Sequence, residues 1–283
     1  MIVDAHTHIF PPEVAQRRET FCMMDKFFGE LYGNPAVRIA RVEELLAEMD
    51  GAGVDVSVLC GFGWASHELC VMHNDYLLDC VSRYPDRLVA LAAAQPLAGD
   101  RALAEVERCL ARGARGVGEL MPDGQGYRLT EHHRIGGLFE YASERGFLVL
   151  THATEPLGHD YPGKERVTPD TIWTLVQGYP KARLILGHWG GGYPFYELMP
   201  EVRKASRNVY YDSAASTYLY SPEVFLRVGE IVGYDKALWA TDYPVLRQKR
   251  FLERMEQLSL SEEQRAAVLG GNAVKLFGLS DTE

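Results

Sequence analysis

The sequence contains no run of about 18 or more apolar residues, the length a helix needs to cross a bilayer. Its opening, MIVDAHTHIF, lacks the basic stretch and apolar core of a secretory leader, so none is expected. There is no Lys/Arg run, and 29 basic against 39 acidic side chains give a formal net charge of −10. Nucleic acids and anionic membranes bind basic faces, so neither is an expected partner. Cysteine is scarce and odd in number, with five residues (Cys22, Cys60, Cys70, Cys80 and Cys109) and no CxxC pair. That argues against a disulfide frame and predicts reduced, buried thiols in a cytoplasmic protein. Gly/Ser linkers, low-complexity tracts and fixed-period repeats are also missing, and residues 1–283 are expected to form one domain.

What the sequence does contain is an alternation. Short apolar runs occur at Ile2–Ala5, Val54–Cys60, Leu88–Ala94, Ala114–Gly118, Phe147–Thr151, Arg183–Leu186, Val209–Tyr211 and Ala237–Ala240. Most are too short for helices and rich in Val, Ile, Leu or Tyr, which predicts strands. Amphipathic stretches lie between them: Val42–Met49, Asn74–Ser82, Ala102–Ala111, Gly137–Arg145, Pro169–Gln177, Phe195–Lys204, Pro222–Val232 and Phe251–Leu258. A last helix is predicted over Ser261–Leu269, with Ser261 as N-cap and Gln264 completing a capping box. Continuously apolar strands alternating with helices predict a parallel sheet, and eight such units in this length predict a closed (β/α)8 TIM barrel. No GxGxxG follows the first strand, which weakens the alternative of an open dinucleotide-binding sheet.

Catalytic groups of such barrels sit at the C-terminal ends of the strands. The first strand ends at His6 and His8, the third at Gln95, the fourth at Glu119, the fifth at His152, the sixth at His188, the seventh at Asp212 and Ser213, and the eighth at Asp242. His6 and His8 are two apart on one strand, so both imidazoles share a face and can converge on one ion. The gathering of imidazoles and carboxylates at separate strand ends predicts a divalent metal site.

Asp4-Ala5-His6-Thr7-His8 resembles the opening DxHxH of the amidohydrolase superfamily. GHWGGG at 187–192 and WATDYP at 239–244 resemble the sixth- and eighth-strand motifs of its amidohydrolase-related branch, which includes enzymes of the aminocarboxymuconate-semialdehyde decarboxylase type. The closing Gly271-Asn272-Ala273 and Leu276 are similar to that branch's last helix, so the resemblance spans the chain. It implies a metal held by His6, His8, His152 and Asp242, with Asp242 also handling a proton and His188 acting as an acid/base or substrate-orienting group. Glu119 has two readings that stay open: a metal ligand, which admits a second ion, or a carboxylate that positions a ligand histidine or the substrate. Independently of the family, imidazole and carboxylate ligands with a position left open for water point to Zn²⁺ first, with Mn²⁺ or another divalent ion also suited.

The first expectation is a hydrolase that attacks a small, carboxylate-bearing organic substrate through a metal-activated water, supported by the full ligand set with Glu119. The alternative is non-hydrolytic decarboxylation of an aromatic or unsaturated acid, supported by the GHWGGG and TDYP motifs. A non-catalytic barrel with a structural metal is the least supported reading. The segment Glu155–Thr168 is expected to cover the site, and Arg166, Arg247 and Trp189 are candidates for substrate contact. Homo-oligomerisation is left open. The remaining histidines, His67, His73, His132, His133 and His159, read as surface or hydrogen-bonded residues.

Overall fold

Eight short parallel strands carry the chain around a closed barrel in a computed structural model that describes residues 1–280. They are β1 (Val3–Thr7), β2 (Val56–Cys60), β3 (Leu88–Leu91), β4 (Gly116–Leu120), β5 (Leu148–Thr151), β6 (Arg183–Leu186), β7 (Val209–Asp212) and β8 (Ala237–Leu238). The ladder runs without interruption through β1–β3 and through β4–β8. Two seams close the ring. Ala92 N–H donates to Gly116 O and Gly118 N–H to Ala92 O, both at 2.9 Å, while Ala5 N–H meets Trp239 O at 3.1 Å and Asp242 N–H meets His6 O at 2.9 Å. A strand order that follows the sequence, with every pair parallel, is the (β/α)8 barrel the pattern predicts.

Strand alternation divides the core. Val56, Val58 and Cys60 on β2, with Leu148 and Leu150 on β5 and Ile185 on β6, fill the barrel interior. Leu59, Val149, Leu184 and Leu186 point outward into the layer between sheet and helices. The register slips within β1 between Asp4 and Thr7 and within β4 between Val117 and Leu120. Such irregularities re-aim side chains, and these two carry His6 and Glu119. Gly118 has φ 138° and lies so close to the Leu150 carbonyl that a side chain there would collide with β5.

Several elements depart from the sequence pattern. The helix before β3 spans His67–Arg83, starting one turn and more ahead of Asn74, because Ser66 caps it by accepting from Leu69 N–H. Three short helices, Pro12–Gln16, Arg18–Met24 and Lys26–Tyr32, occupy a stretch with no predicted element. Phe21, Phe28 and Tyr32 from them pack with Phe10, Phe62 and Trp64 over the strand ends. The helix expected over Phe195–Lys204 is confined to Pro200–Ala205. Before it, Trp189 to Gly192 all take positive φ, which breaks any helix, and Pro194 and Pro200 bound the rest. The capping box holds, since Ser261 Oγ accepts from Gln264 N–H at 3.2 Å and Gln264 Oε1 from Ser261 N–H at 2.9 Å. Among the described residues no helix is long and apolar enough to cross a membrane.

Candidate metal centre

The strand ends bring His6, His8, Glu119, His152, His188 and Asp242 into one cluster. Outer partners set the imidazole tautomers. His6 Nδ1 lies 2.9 Å from Asp212 Oδ2 and His8 Nδ1 lies 3.1 Å from the Cys60 carbonyl oxygen. A carboxylate and a carbonyl only accept, so each Nδ1 carries the proton and each Nε2 turns a lone pair inward. Those two Nε2 atoms are 3.0 Å apart. Glu119 Oε2 is 3.3 Å from the first and 3.2 Å from the second, and Asp242 Oδ1 is 3.9 and 3.5 Å away.

Four electron-pair donors thus face one another with no proton assigned between them, an arrangement that repels itself unless positive charge enters. Ligands about 2.0–2.1 Å from a tetrahedral ion stand roughly 3.3 Å from each other. The His6, His8 and Glu119 spacings match that figure, and two imidazoles with two carboxylates suit Zn²⁺, Mn²⁺ or a similar divalent ion. The same field acts on protons. Burial alone would lower the His6 pKa, yet the surrounding Cys60, Glu119 and Asp212 raise it well above the usual imidazole range. Burial would raise Glu119, but His6, His152 and His188 hold it well below the usual carboxylate range.

Glu119 is the hub. Its second oxygen, Oε1, lies 2.8 Å from His152 Nδ1 and 3.3 Å from His188 Nε2. Both open readings of Glu119 therefore have a contact: one oxygen at the His6–His8 gap and one on the neighbouring imidazoles. His152 Nε2 faces the Gly163 carbonyl at 3.1 Å, so as placed it joins the cluster through Glu119 rather than through the His6–His8 gap. His188 is fixed from behind. Its Nδ1 donates to Ala214 O at 3.0 Å and its backbone N–H donates to Asp212 Oδ1 at 2.9 Å. Burial would depress its pKa, but Glu119, Asp242 and Asp212 lift it to about 9. Asp242 keeps 14% of its side chain exposed, and burial raises its carboxyl above the ordinary range against the pull of His6, His188 and His8. Asp242 and His188 both hold φ near +55°, a conformation non-glycine residues rarely adopt and one concentrated at functional sites.

Two further carboxylates brace the cluster. Asp212 spans His6, the His188 amide and the Ala214 amide. Asp4, fully buried, accepts from Thr241 N–H at 2.9 Å, Thr241 Oγ1 at 2.6 Å and Gln248 Nε2 at 2.8 Å. Burial raises its carboxyl to about 6 against the pull of those donors.

A cavity of about 570 Å³ opens above the cluster, with Phe27, Leu31, Tyr32, Met121 and Tyr161 among its walls and Arg38 at one side. Tyr32 and Arg38 come from the stretch the sequence left unassigned. The only available signal was the pairing of Phe27 with Leu31 and Phe28 with Tyr32 at helical spacing, too short to stand out. Three expected substrate contacts lie elsewhere. Arg166 is 71% exposed and pairs with Asp123 at 3.2 Å outside the cavity. Trp189 is fully buried, donating to Ser216 Oγ at 2.8 Å and packing edge-on against Phe225. Arg247 Nη2 rests 2.5 Å from Glu48 Oε2. Arg247 and Trp189 closely follow site residues and Arg166 lies in the segment expected to cover the site, yet each side chain is aimed at another partner. The 155–168 segment does reach over the cavity, through His159, Tyr161, Pro162 and Gly163.

Fold and donor set together define a (β/α)8 barrel with an imidazole–carboxylate cation site at its strand ends. The profile of the amidohydrolase family matches residues 3–279, and the chain belongs to that family. It is 28% identical to 6-methylsalicylic acid decarboxylase of Penicillium expansum over 62% of this chain, and it spans 64% of the length of that relative. It is 24% identical to 2-amino-3-carboxymuconate-6-semialdehyde decarboxylase of Dictyostelium discoideum, over 98% of this chain and 91% of the relative. Its fold is similar to that of 5-carboxyvanillate decarboxylase from Novosphingobium aromaticivorans, crystallised with manganese and 4-hydroxy-3-methoxy-5-nitrobenzoic acid. That match has TM-score 0.78 and 18% identity over 99% of this chain and 96% of the other.

Proposed function

We propose that this protein is a divalent-metal-dependent carboxy-lyase acting on an aromatic or unsaturated carboxylic acid, which reverses the order of the two activities left by the sequence. The observation that carries the reading is a charged centre at the floor of a cavity with apolar and aromatic walls. A flat acid can lie between Phe27, Leu31 and Tyr32 with its carboxylate downward. The names of the related decarboxylases support the same reading.

His6, His8, Asp242 and Glu119 would hold the ion, with His152 beside them. When bound, the ion supplies a Lewis acid that anchors the acid's oxygens and disperses negative charge. Asp242, the member of the set most open to the cavity together with His152, carries a proton to the carbon that loses its carboxyl group. His188, held behind Glu119, supports that proton. The C–C bond to the carboxylate breaks, its electron pair remains on the ring or vinyl carbon, the proton fills that position, and CO₂ departs. Manganese serves as well as zinc in this donor set, and a manganese-bound neighbour supports it. We place the catalytic unit in one domain across the whole chain; five free thiols, four of them buried, support a reducing cytoplasmic setting.

The competing reading, hydrolysis of an amide, ester or lactone, draws its support from Glu119 bridging two groups of imidazoles. The test is a panel of aromatic acids assayed in D₂O with Mn²⁺ or Zn²⁺. Decarboxylation gives one CO₂ per acid consumed and one deuterium in the product. Turnover of amides or esters with ¹⁸O incorporation from water, and no CO₂ from any acid, overturns the proposal.

A further inference from the structure

Beside the catalytic mouth lies a second, smaller pocket of about 170 Å³, walled by Thr217, Tyr218, Val245, Arg247, Arg250 and Arg254. Tyr218 and Val245 are shared with the catalytic cavity, so the two spaces adjoin. The three arginines stand at spacings of three and four on and just before the helix Gln248–Glu256, which puts them on one face. Like charges at such spacings repel, so the cluster weakens its own helix unless an anion answers it.

Several other arginines on this acidic chain are answered by carboxylates. Arg87 pairs with Asp50, Arg101 with Glu68, Arg108 with Asp75, Arg134 with Glu131 and Arg227 with Glu230. In this pocket Glu48 answers Arg247 alone. The guanidinium groups of Arg250 and Arg254 make no ion pair or hydrogen bond among the described residues. Thr217 and Tyr218, both hydroxyl-bearing residues, line the same space. Two unpaired guanidinium forks beside a space of this size are suited to the oxygens of a phosphoryl or carboxylate group.

We propose that this pocket is an oxyanion-binding subsite at the rim of the catalytic cavity, filled by a phosphoryl or carboxylate group held between Arg250 and Arg254. The group is either a free anion or the far end of a molecule whose other end enters the cavity. The subsite does not depend on the decarboxylase reading, because its test needs no turnover.

The test is calorimetric titration of the full chain in low-chloride buffer with inorganic phosphate, phthalate and 4-carboxyphenyl phosphate. Saturable binding of phosphate or phthalate that weakens at least about tenfold in the Arg250→Ala/Arg254→Ala double variant is the expected result. The more conservative Arg250→Lys/Arg254→Lys pair keeps the charge but loses the forks and should fall between the two. Tighter binding of 4-carboxyphenyl phosphate than of phosphate by about tenfold or more identifies a spanning ligand, and equal affinity identifies a free anion. No saturable binding of any probe, or binding by both double variants at wild-type strength, overturns the proposal.

Discussion

Asp212→Asn separates orientation from ligation in the cation site. The Asp212 carboxylate does two things with two oxygens. Oδ1 accepts the backbone N–H groups of His188 and Ala214 at 2.9 and 3.0 Å, and Oδ2 faces His6 Nδ1 at 2.9 Å. In the asparagine variant the side-chain oxygen stays with the two amides, since only it can accept them. The amide nitrogen then faces His6 Nδ1 as a donor, so the imidazole proton moves to Nε2. That proton points at His8 Nε2, 3.0 Å away, and at Glu119 Oε2, 3.3 Å away, where a metal needs a lone pair. Loss of such an orienting partner typically costs about 10–100-fold in metal affinity, or about 1.4–2.7 kcal/mol. The assay is competition for Zn²⁺ or Mn²⁺ against a chelator of known affinity, alongside the far-ultraviolet spectrum. An unchanged spectrum with affinity lowered by that factor is expected. Affinity within about threefold of wild type would refute the tautomer argument and with it the assignment of His6 as a ligand.

Asp242→Asn, loaded with the same metal, should lower kcat by about 10²–10⁴-fold, the range for a lost proton carrier; unchanged turnover removes both roles given to Asp242. Stripping the metal with a chelator should lower Tm, and returning ion to about a thousand times its Kd should restore about 4 kcal/mol, roughly 8–16 °C for a chain of this size. Identical melting with and without ion would count against a site that binds only the folded state. His73 is fully buried, donates from Nε2 to Ile9 O and accepts at Nδ1 from Trp64 Nε1, and burial pulls its pKa from 6.5 to about 4. A depressed folded pKa gives stability that is complete above pH 6.5 and is lost as pH falls toward 4. Between pH 7.5 and pH 5 urea unfolding of the wild type should lose about 2 kcal/mol more than that of His73→Gln; equal slopes would show that His73 does not control this limb.

Much of the barrel was legible because its information is local. A β-rich run that stops at His, Glu or Asp states both a strand and what the strand delivers, and HxH, GHWGGG and TDYP keep their chemistry within a few residues. The stretch 12–41 was not legible, because its short helices have little amphipathic signal of their own. Aromatic contacts with Phe62 and Trp64, distant in sequence, decide where Phe28 and Tyr32 lie. Side-chain direction was equally hidden. Arg166 and Arg247 follow the right elements but end on Asp123 and Glu48, and Trp189 follows the right histidine but turns inward to Ser216. His73, read as an ordinary hydrogen-bonded residue, is one.

Two buried carboxylates hold the segments that carry the candidate donors. Asp212 joins β1 through His6 to the ends of β6 and β7, and Asp4 joins β1 to the Thr241 turn after β8 and to the helix that follows. His6 and His8 lie on β1 and Asp242 follows β8, so both braces hold segments that carry candidate ligands. They differ in character. Asp212 accepts from an imidazole whose opposite face is a candidate ligand, so it tunes that face. Asp4 accepts from a backbone N–H, a hydroxyl and an amide, none of which carries charge, so it fixes position without tuning a ligand. The DxHxH opening therefore encodes more than two candidate ligands: its first residue ties the strand bearing them to the segment that brings Asp242, 238 positions later in the chain.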